Sequence, residues 1–214
     1  MKKNMEEQTN WNQYYQKKSV FSVLAQSIQR KYIVSMIGCH VDKSSVKTVV
    51  ELGGADSCLY DKIKKEFDLK AFAVADNSEV GLENFRKSHV EEDIRIELHN
   101  CDLLKGIDIG EYDISYSLGL IEHFDVHNTA MVIKSHFDCV KEDGWVLITF
   151  PTPTKQYKFV RKFMEIIKVW QFWDERPLEC EEVENEINKY GHVVQKQLMR
   201  KMPLTQMLYL IKKN

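Results

Sequence analysis

The sequence predicts an α/β fold: a doubly wound, mostly parallel sheet of seven strands with an antiparallel last strand. Three observations carry this expectation. Short β-branched runs alternate with helical patterns from about residue 46 to residue 150, the signature of right-handed βαβ units. Only 9 glycines and 4 prolines punctuate 214 residues, so long regular elements are permitted. The last two extended segments are separated by Lys201-Met202-Pro203-Leu204 alone, which is too short for a crossover helix and forces antiparallel pairing.

Residues 1–16 are polar apart from an aromatic cluster that includes Trp11, Tyr14 and Tyr15. From Lys17 to about Ile37, apolar residues recur at three- and four-residue steps through Phe21, Leu24, Ile28, Tyr32, Ile33, Met36 and Ile37, the stripe of an amphipathic helix. Strands are then expected at Val46–Leu52, Ala71–Ala75, Asp93–Leu98, Asp113–Leu118 and Trp145–Phe150. The last of these is entered by the turn Glu142-Asp143-Gly144. Helices are expected between them at Ser57–Phe67, Glu79–Ser88 and His127–Lys141. A basic amphipathic helix over Lys155–Val169 and an acidic one over Glu179–Tyr190, stopped by Gly191, interrupt the alternation. Strands His192–Arg200 and Thr205–Ile211 close the sheet. All of this fits one domain: a helical cap over 1–40, a core over 45–150, a helical insertion over 151–190 and a closing hairpin over 191–214.

Composition bounds the function. With 30 basic and 32 acidic side chains the net charge is −2, which argues against a dedicated nucleic-acid binder. No apolar run approaches the roughly 20 residues of a membrane span. The charged N-terminus has no apolar stretch behind it and does not read as a secretory signal. The five cysteines are scattered, odd in number and free of CxxC pairs, which fits neither a disulfide framework nor a zinc site. A soluble, cytoplasmic protein is expected.

Ligands of open α/β sheets bind beyond the carboxyl ends of the strands. The first such end here is Glu51-Leu-Gly53-Gly54-Ala55-Asp56-Ser57, where small residues let the backbone turn tightly and approach a ligand; a tight turn without a ligand reads equally from glycines alone. The second strand stops at Asp76-Asn77, about twenty residues on, the spacing of a ribose-binding carboxylate, although Asp76 also suits a helix N-cap before Glu79. The third leads to Cys101-Asp102-Leu103, where an acid could meet an adenine amino group. Glycines, an acid and a second acid on three successive strand ends describe an adenosine-bearing cofactor. A dinucleotide is disfavoured, because G-x-G-x-x-G is missing and Glu51 would repel pyrophosphate while suiting an α-ammonium group.

Glu51-Leu-Gly-Gly-Ala-Asp-Ser resembles the first motif of class I S-adenosylmethionine-dependent methyltransferases, E/D-x-G-x-G-x-G, with Ala55 and Ser57 in place of the later glycines. Tyr112-Asp-Ile-Ser-Tyr-Ser-Leu-Gly-Leu-Ile-Glu122-His123-Phe124 resembles that family's fourth-strand motif. Phe150-Pro-Thr-Pro-Thr154 with Asp174-Glu-Arg-Pro-Leu178 is similar to a bacterial subgroup associated with glycan assembly. The resemblance implies a Rossmann-like fold and S-adenosylmethionine as cofactor, with S-adenosylhomocysteine (SAH) as product. It implies that Glu51 and the Gly53, Gly54 and Ala55 backbone hold the methionine end. Asp76 would then take the ribose beside Asn77, Cys101, Asp102 and Leu103 would line the adenine pocket, and Ser117 and Leu118 would lie under the sulfonium.

Methyl transfer from a sulfonium needs alignment, exclusion of water and sometimes a base, and no metal. His123 is the candidate base, with capping or a wall hydrogen bond as its alternative. Glu122 either orients His123 or contacts the N-terminal helix; a Glu-His pair could also bind a cation, but no further ligands stand out and no metal is expected. Tyr14 and Tyr15 with Trp11 could close as a lid or dock the arm to the surface. Tyr157, Lys158 and Arg161 make the inserted helix basic, so Lys158 and Arg161 either grip an anionic substrate group or belong to a solvated face. The function expected is methylation of a small molecule, at oxygen of a sugar or phosphorylated metabolite or at nitrogen of a small amine. Aminopropyl transfer, a non-catalytic cofactor-binding module and nucleic-acid methylation rank below it.

Overall fold

The computed structural model describes residues 9, 11, 20–55, 57–89 and 93–214, with the side chains of 20–24 left aside. The expected Tyr14 and Tyr15 contacts, the helix start at residues 17–19, the apolar positions Phe21 and Leu24, and Asp56 therefore lie outside what is described. Helix α1 spans Val20–His40. It is followed by β1 (Thr48–Leu52), α2 (Tyr60–Glu66), β2 (Ala71–Asp76), α3 (Glu79–Ser88) and β3 (Arg95–Asn100). Then come β4 (Tyr112–Leu118), α4 (Val126–Asp138), β5 (Val140–Pro151), α5 (Lys155–Ile166), α6 (Cys180–Ile187), β6 (Gly191–Met199) and β7 (Gln206–Lys213).

The seven strands form one sheet in the order β3-β2-β1-β4-β5-β7-β6. Pairs β1–β2, β2–β3, β1–β4 and β4–β5 are parallel, and β7 runs antiparallel to both β5 and β6. This is the Rossmann-like arrangement the sequence predicts. Strand order turns back between β1 and β4, so the crevice for a ligand falls beyond the carboxyl ends of those two strands.

Burial follows from helices covering both faces. Every residue of β2 is buried, and alternate residues of β1 point to opposite cores. Val49 joins Ile33 and Ile37 of α1, Ile63 of α2 and Phe85 of α3. Val50 and Leu52 join Val132 and Ile133 of α4 and Val183 and Ile187 of α6. The Asp113 carboxylate accepts the backbone N–H groups of Lys47 and Thr48 at 2.7 and 2.8 Å, which clips the start of β1 to β4.

Several element ends shift by a few residues, and two of the shifts have a visible cause. The Glu142-Asp143-Gly144 turn does not precede β5 but interrupts it: Tyr112 pairs with Val140, Ile114 pairs with Trp145, and the residues between bulge out with Asp143 at φ 58°. The inserted helix stops at Ile166 rather than Val169. Lys168 adopts φ 58°, its N–H bonds Glu165 O and the Val169 N–H bonds Met164 O, a left-handed C-terminal cap that closes the last turn. Among the described residues no helix is long and apolar enough to cross a membrane.

Candidate active site

A cavity of about 560 Å³ opens where the strand order turns back. Its floor is Glu51, Gly53 and Gly54 after β1 with Leu118 and Gly119 after β4. Gln26 and Gln29 of α1 form one wall, Glu122 and His123 another, and Met164 through Glu175 a third.

The glycine turn is explained by what surrounds it. Gly53 sits at φ +66°, and a Cβ there would run into Leu120. At Gly54 a Cβ would run into the Glu51 carboxyl, so the side chain can fold over the turn only because position 54 is glycine. Tyr116 O–H donates to the Glu51 carboxylate at 2.7 Å and fixes it there. Asp76, buried at the end of β2, accepts from Ala55 N–H at 3.0 Å and Ser78 N–H at 2.7 Å. It thus ties the first turn to the second strand end. The helix cap itself is Ser78, whose Oγ accepts from Gly81 N–H.

The remaining expected cofactor residues sit on the same edge of the sheet but outside this cavity's lining. Asn77 is exposed, Leu103 is buried, and Cys101 and Asp102 are half-buried. Asp102 caps the short 3-10 turn Leu103–Lys105 by accepting from Leu104 N–H at 3.1 Å. Ser117 is fully buried, and its Oγ has no partner among the described residues.

The wall opposite the glycine turn is assembled from distant parts of the chain. Glu122 and His123 lie in a 3-10 turn after β4. His123 Nδ1 bonds Asp174 at 3.0 Å, 51 residues away. Thr9 donates to the same Asp174 carboxylate from its N–H at 3.0 Å and from its hydroxyl, and the Trp11 ring meets His123 edge-on at 4.8 Å. Helix α4 is capped by Asp125, so His123 does not cap it. Arg176 pins this loop: its N–H bonds Glu122 O at 2.9 Å, and its guanidinium forks onto Glu182 at 2.7 and 2.8 Å.

Electrostatics set this wall apart. Burial lifts the Glu122 carboxyl to about 8, against the pull of His123 and with repulsion from Glu175, and its Oε2 has no partner among the described residues. Burial disfavours a charged His123, but the hydrogen bond to Asp174 and the charges of Glu122, Asp174 and Glu175 prevail and raise its pKa. Burial likewise pushes Asp174 up, yet hydrogen bonds from His123 and Thr9 hold it at about 2. Glu122, His123 and Glu175 each offer a donor atom, and the three lie within 4.8 Å of one another, close enough for one cation to bridge with a small adjustment.

The basic helix turns out to work inward. Tyr157 O–H bonds Glu175, and Arg161 Nη1 bonds Tyr157 Oη at 3.0 Å and Glu175 O at 2.9 Å while stacking over Trp170 at 4.8 Å. Lys158 is exposed and points away from the cavity, so Lys158 and Arg161 do not form one grip. Asp174, Glu175 and Arg176 stood in the sequence only as part of a subgroup resemblance with no site role, and Gln29 was not singled out. The only signal for the first three is an Asp-Glu-Arg-Pro run after an aromatic cluster.

No family model and no curated protein matches the sequence. Solved structures match it along nearly the whole chain. Magnesium protoporphyrin IX methyltransferase from Synechocystis PCC 6803 with bound SAH superposes with a TM-score of 0.74 at 11% identity, covering 95% of this chain and 93% of that one. The chain has the class I methyltransferase fold. An S-adenosylmethionine-dependent methyltransferase from Clostridium acetobutylicum gives a TM-score of 0.70 at 11% identity, over 95% and 99% of the two chains. The N-methyltransferase NodS from Bradyrhizobium japonicum in complex with SAH gives 0.66 at 12%, over 95% and 93%. In this methyltransferase fold the cavity occupies the carboxyl edge of the sheet at the reversal of strand order.

Proposed function

We propose that the protein transfers a methyl group from S-adenosylmethionine to a small molecule. One observation carries this reading: the Glu51 carboxylate, folded over Gly54 and fixed by Tyr116, faces a cavity whose far wall is the Glu122–His123–Asp174 group. Glu51 takes the α-ammonium of the methionyl tail, since a buried carboxylate gains most from a charged hydrogen-bond donor. Asp76 takes the ribose beside Asn77, and Cys101, Asp102 and Leu103 surround the adenine. Ser117 and Leu118 underlie the sulfonium.

Bound there, S-adenosylmethionine would supply an activated methyl carbon to the acceptor's lone pair, with the C–S electron pair going to sulfur and SAH as product. The acceptor proton passes to His123, and Asp174 holds the imidazole and stabilises the imidazolium. The preferred acceptor atom is a hydroxyl oxygen, as on a sugar. An amine nitrogen is a second reading, favoured by the acidic side chains of Glu122 and Glu175 in the wall. An acceptor phosphate gains nothing from Arg161, which is spent on Tyr157, Glu165 and Glu175. The test is transfer of labelled methyl from S-adenosylmethionine to panels of sugars and amines. His123→Ala should lower turnover by roughly a hundredfold, the lower end of general-base effects. Unchanged turnover would remove His123 from this role.

A further inference from the structure

Helix α5 presents its apolar side to solvent. At about 100° per residue, Phe159, Phe163 and Ile166 fall within roughly 60° of arc, and they are 75%, 54% and 69% exposed. Ile167, just past the helix end, is also exposed at 48%. The opposite side of the helix, with Tyr157 and Arg161, is the one that holds the protein together. Isolated exposed apolar residues are ordinary, but large ones stacked along one helix face mark an interaction site.

Charge identifies the partner. Lys155, Lys158 and Lys162 border the apolar stripe on one side, all are exposed, and none makes an ion pair among the described residues. Lys168, also exposed, sits at the far end. An apolar stripe edged with lysines matches a surface with an acidic outer layer and an apolar interior, which is an anionic bilayer. A second copy of this chain would place lysines against lysines, and a bare apolar groove would leave them unanswered.

We propose that this face of α5 docks on anionic lipid, with Phe159, Phe163 and Ile166 reaching below the headgroups and the lysines meeting the phosphates. The patch is continuous with the cavity, because Met164, Lys168 and Val169 line it. Docking therefore sets the cavity mouth at the headgroup layer, where an amphiphilic acceptor presents its polar end. Surface binding stands apart from the methyl-transfer reading and is measured without cofactor.

The experiment is cosedimentation of the full chain with vesicles of phosphatidylcholine alone and of phosphatidylcholine mixed equally with phosphatidylglycerol. Binding is expected only to the acidic vesicles, and it should weaken as salt rises. The variant Lys155→Gln/Lys158→Gln/Lys162→Gln should partition about a hundredfold less, each lysine being worth about fivefold. Phe159→Ser/Phe163→Ser/Ile166→Ser should abolish binding with melting temperature unchanged, since these side chains are exposed. Absence of binding to acidic vesicles overturns the proposal, as does binding that survives both variants. A concentration-dependent dimer, lost in the serine variant and seen without any vesicle binding, would assign the face to self-association and overturn it equally.

Discussion

The two ends of the cavity are built differently. At the β1–β2 end, Glu51, Gly53, Gly54 and Asp76 lie within 26 residues, and the carboxylates of both acids already hold hydrogen bonds from the protein. At the Glu122–His123 end, the wall draws on Thr9, Trp11, residues 122–123 and residues 170–176, and among the described residues it leaves the buried Glu122 Oε2 without a partner. A carboxylate that accepts internal bonds has lone pairs to spare and is held in position for a ligand that comes in one form. A buried carboxyl with no partner is held at a cost, and the fold tolerates such groups where chemistry needs them. The first end is a preformed seat, and the second is a strained, long-range assembly.

The largest expected effect lies under both ends and fixes the pH range in which they can be compared. His136 of α4 is fully buried, with Nδ1 on Val132 O, and burial lowers its pKa from 6.5 to about 4. The unfolded chain therefore binds a proton that the folded chain refuses between those values. The His136 contribution alone costs about 3 kcal/mol as pH drops from 6.5 to 4, and Glu122 offsets most of it in the unaltered chain. Chemical denaturation across that range checks it: His136→Gln should gain stability relative to the unaltered chain as pH falls, by about 3 kcal/mol at pH 4.

Glu122 should show the opposite sign. Its raised pKa favours the folded state at low pH, an advantage lost as pH rises from 4.5 through about 8. Glu122→Gln should therefore raise stability by about 3 kcal/mol at neutral pH and change little near pH 4.5, while lowering methyl transfer. A variant that destabilised the protein at pH 7 would erase the contrast between the two ends.

Asp174→Asn is smaller. It removes the negative charge that lifts His123, and turnover should drop about tenfold, with SAH affinity unchanged. A matching loss of SAH affinity would mean that the two ends are not separable.

The same contrast explains what the sequence revealed. The parallel core was legible because β-branched runs and helical stripes are local patterns, and helix α3 falls at Glu79–Ser88 as expected. The Glu51-to-Gly54 turn was legible because its glycines answer to an adjacent side chain. The Asp174–His123 bond was not, because it joins a strand-end turn to an insertion 51 residues on. Lys158 and Arg161 of α5 read as a possible substrate grip because spacing shows which residues share a face, but not which way that face points. Only the packing of Tyr157 and Arg161 turns the apolar stripe outward.

Isothermal calorimetry with SAH on three proteins tests the central claim most directly. The unaltered chain should bind, Glu51→Gln should bind about thirty- to a hundredfold more weakly, the worth of a hydrogen bond between charged groups, and Glu122→Gln should bind as tightly as the unaltered chain. No heat of binding in the unaltered protein, or equal affinity in the Glu51→Gln variant, would contradict it.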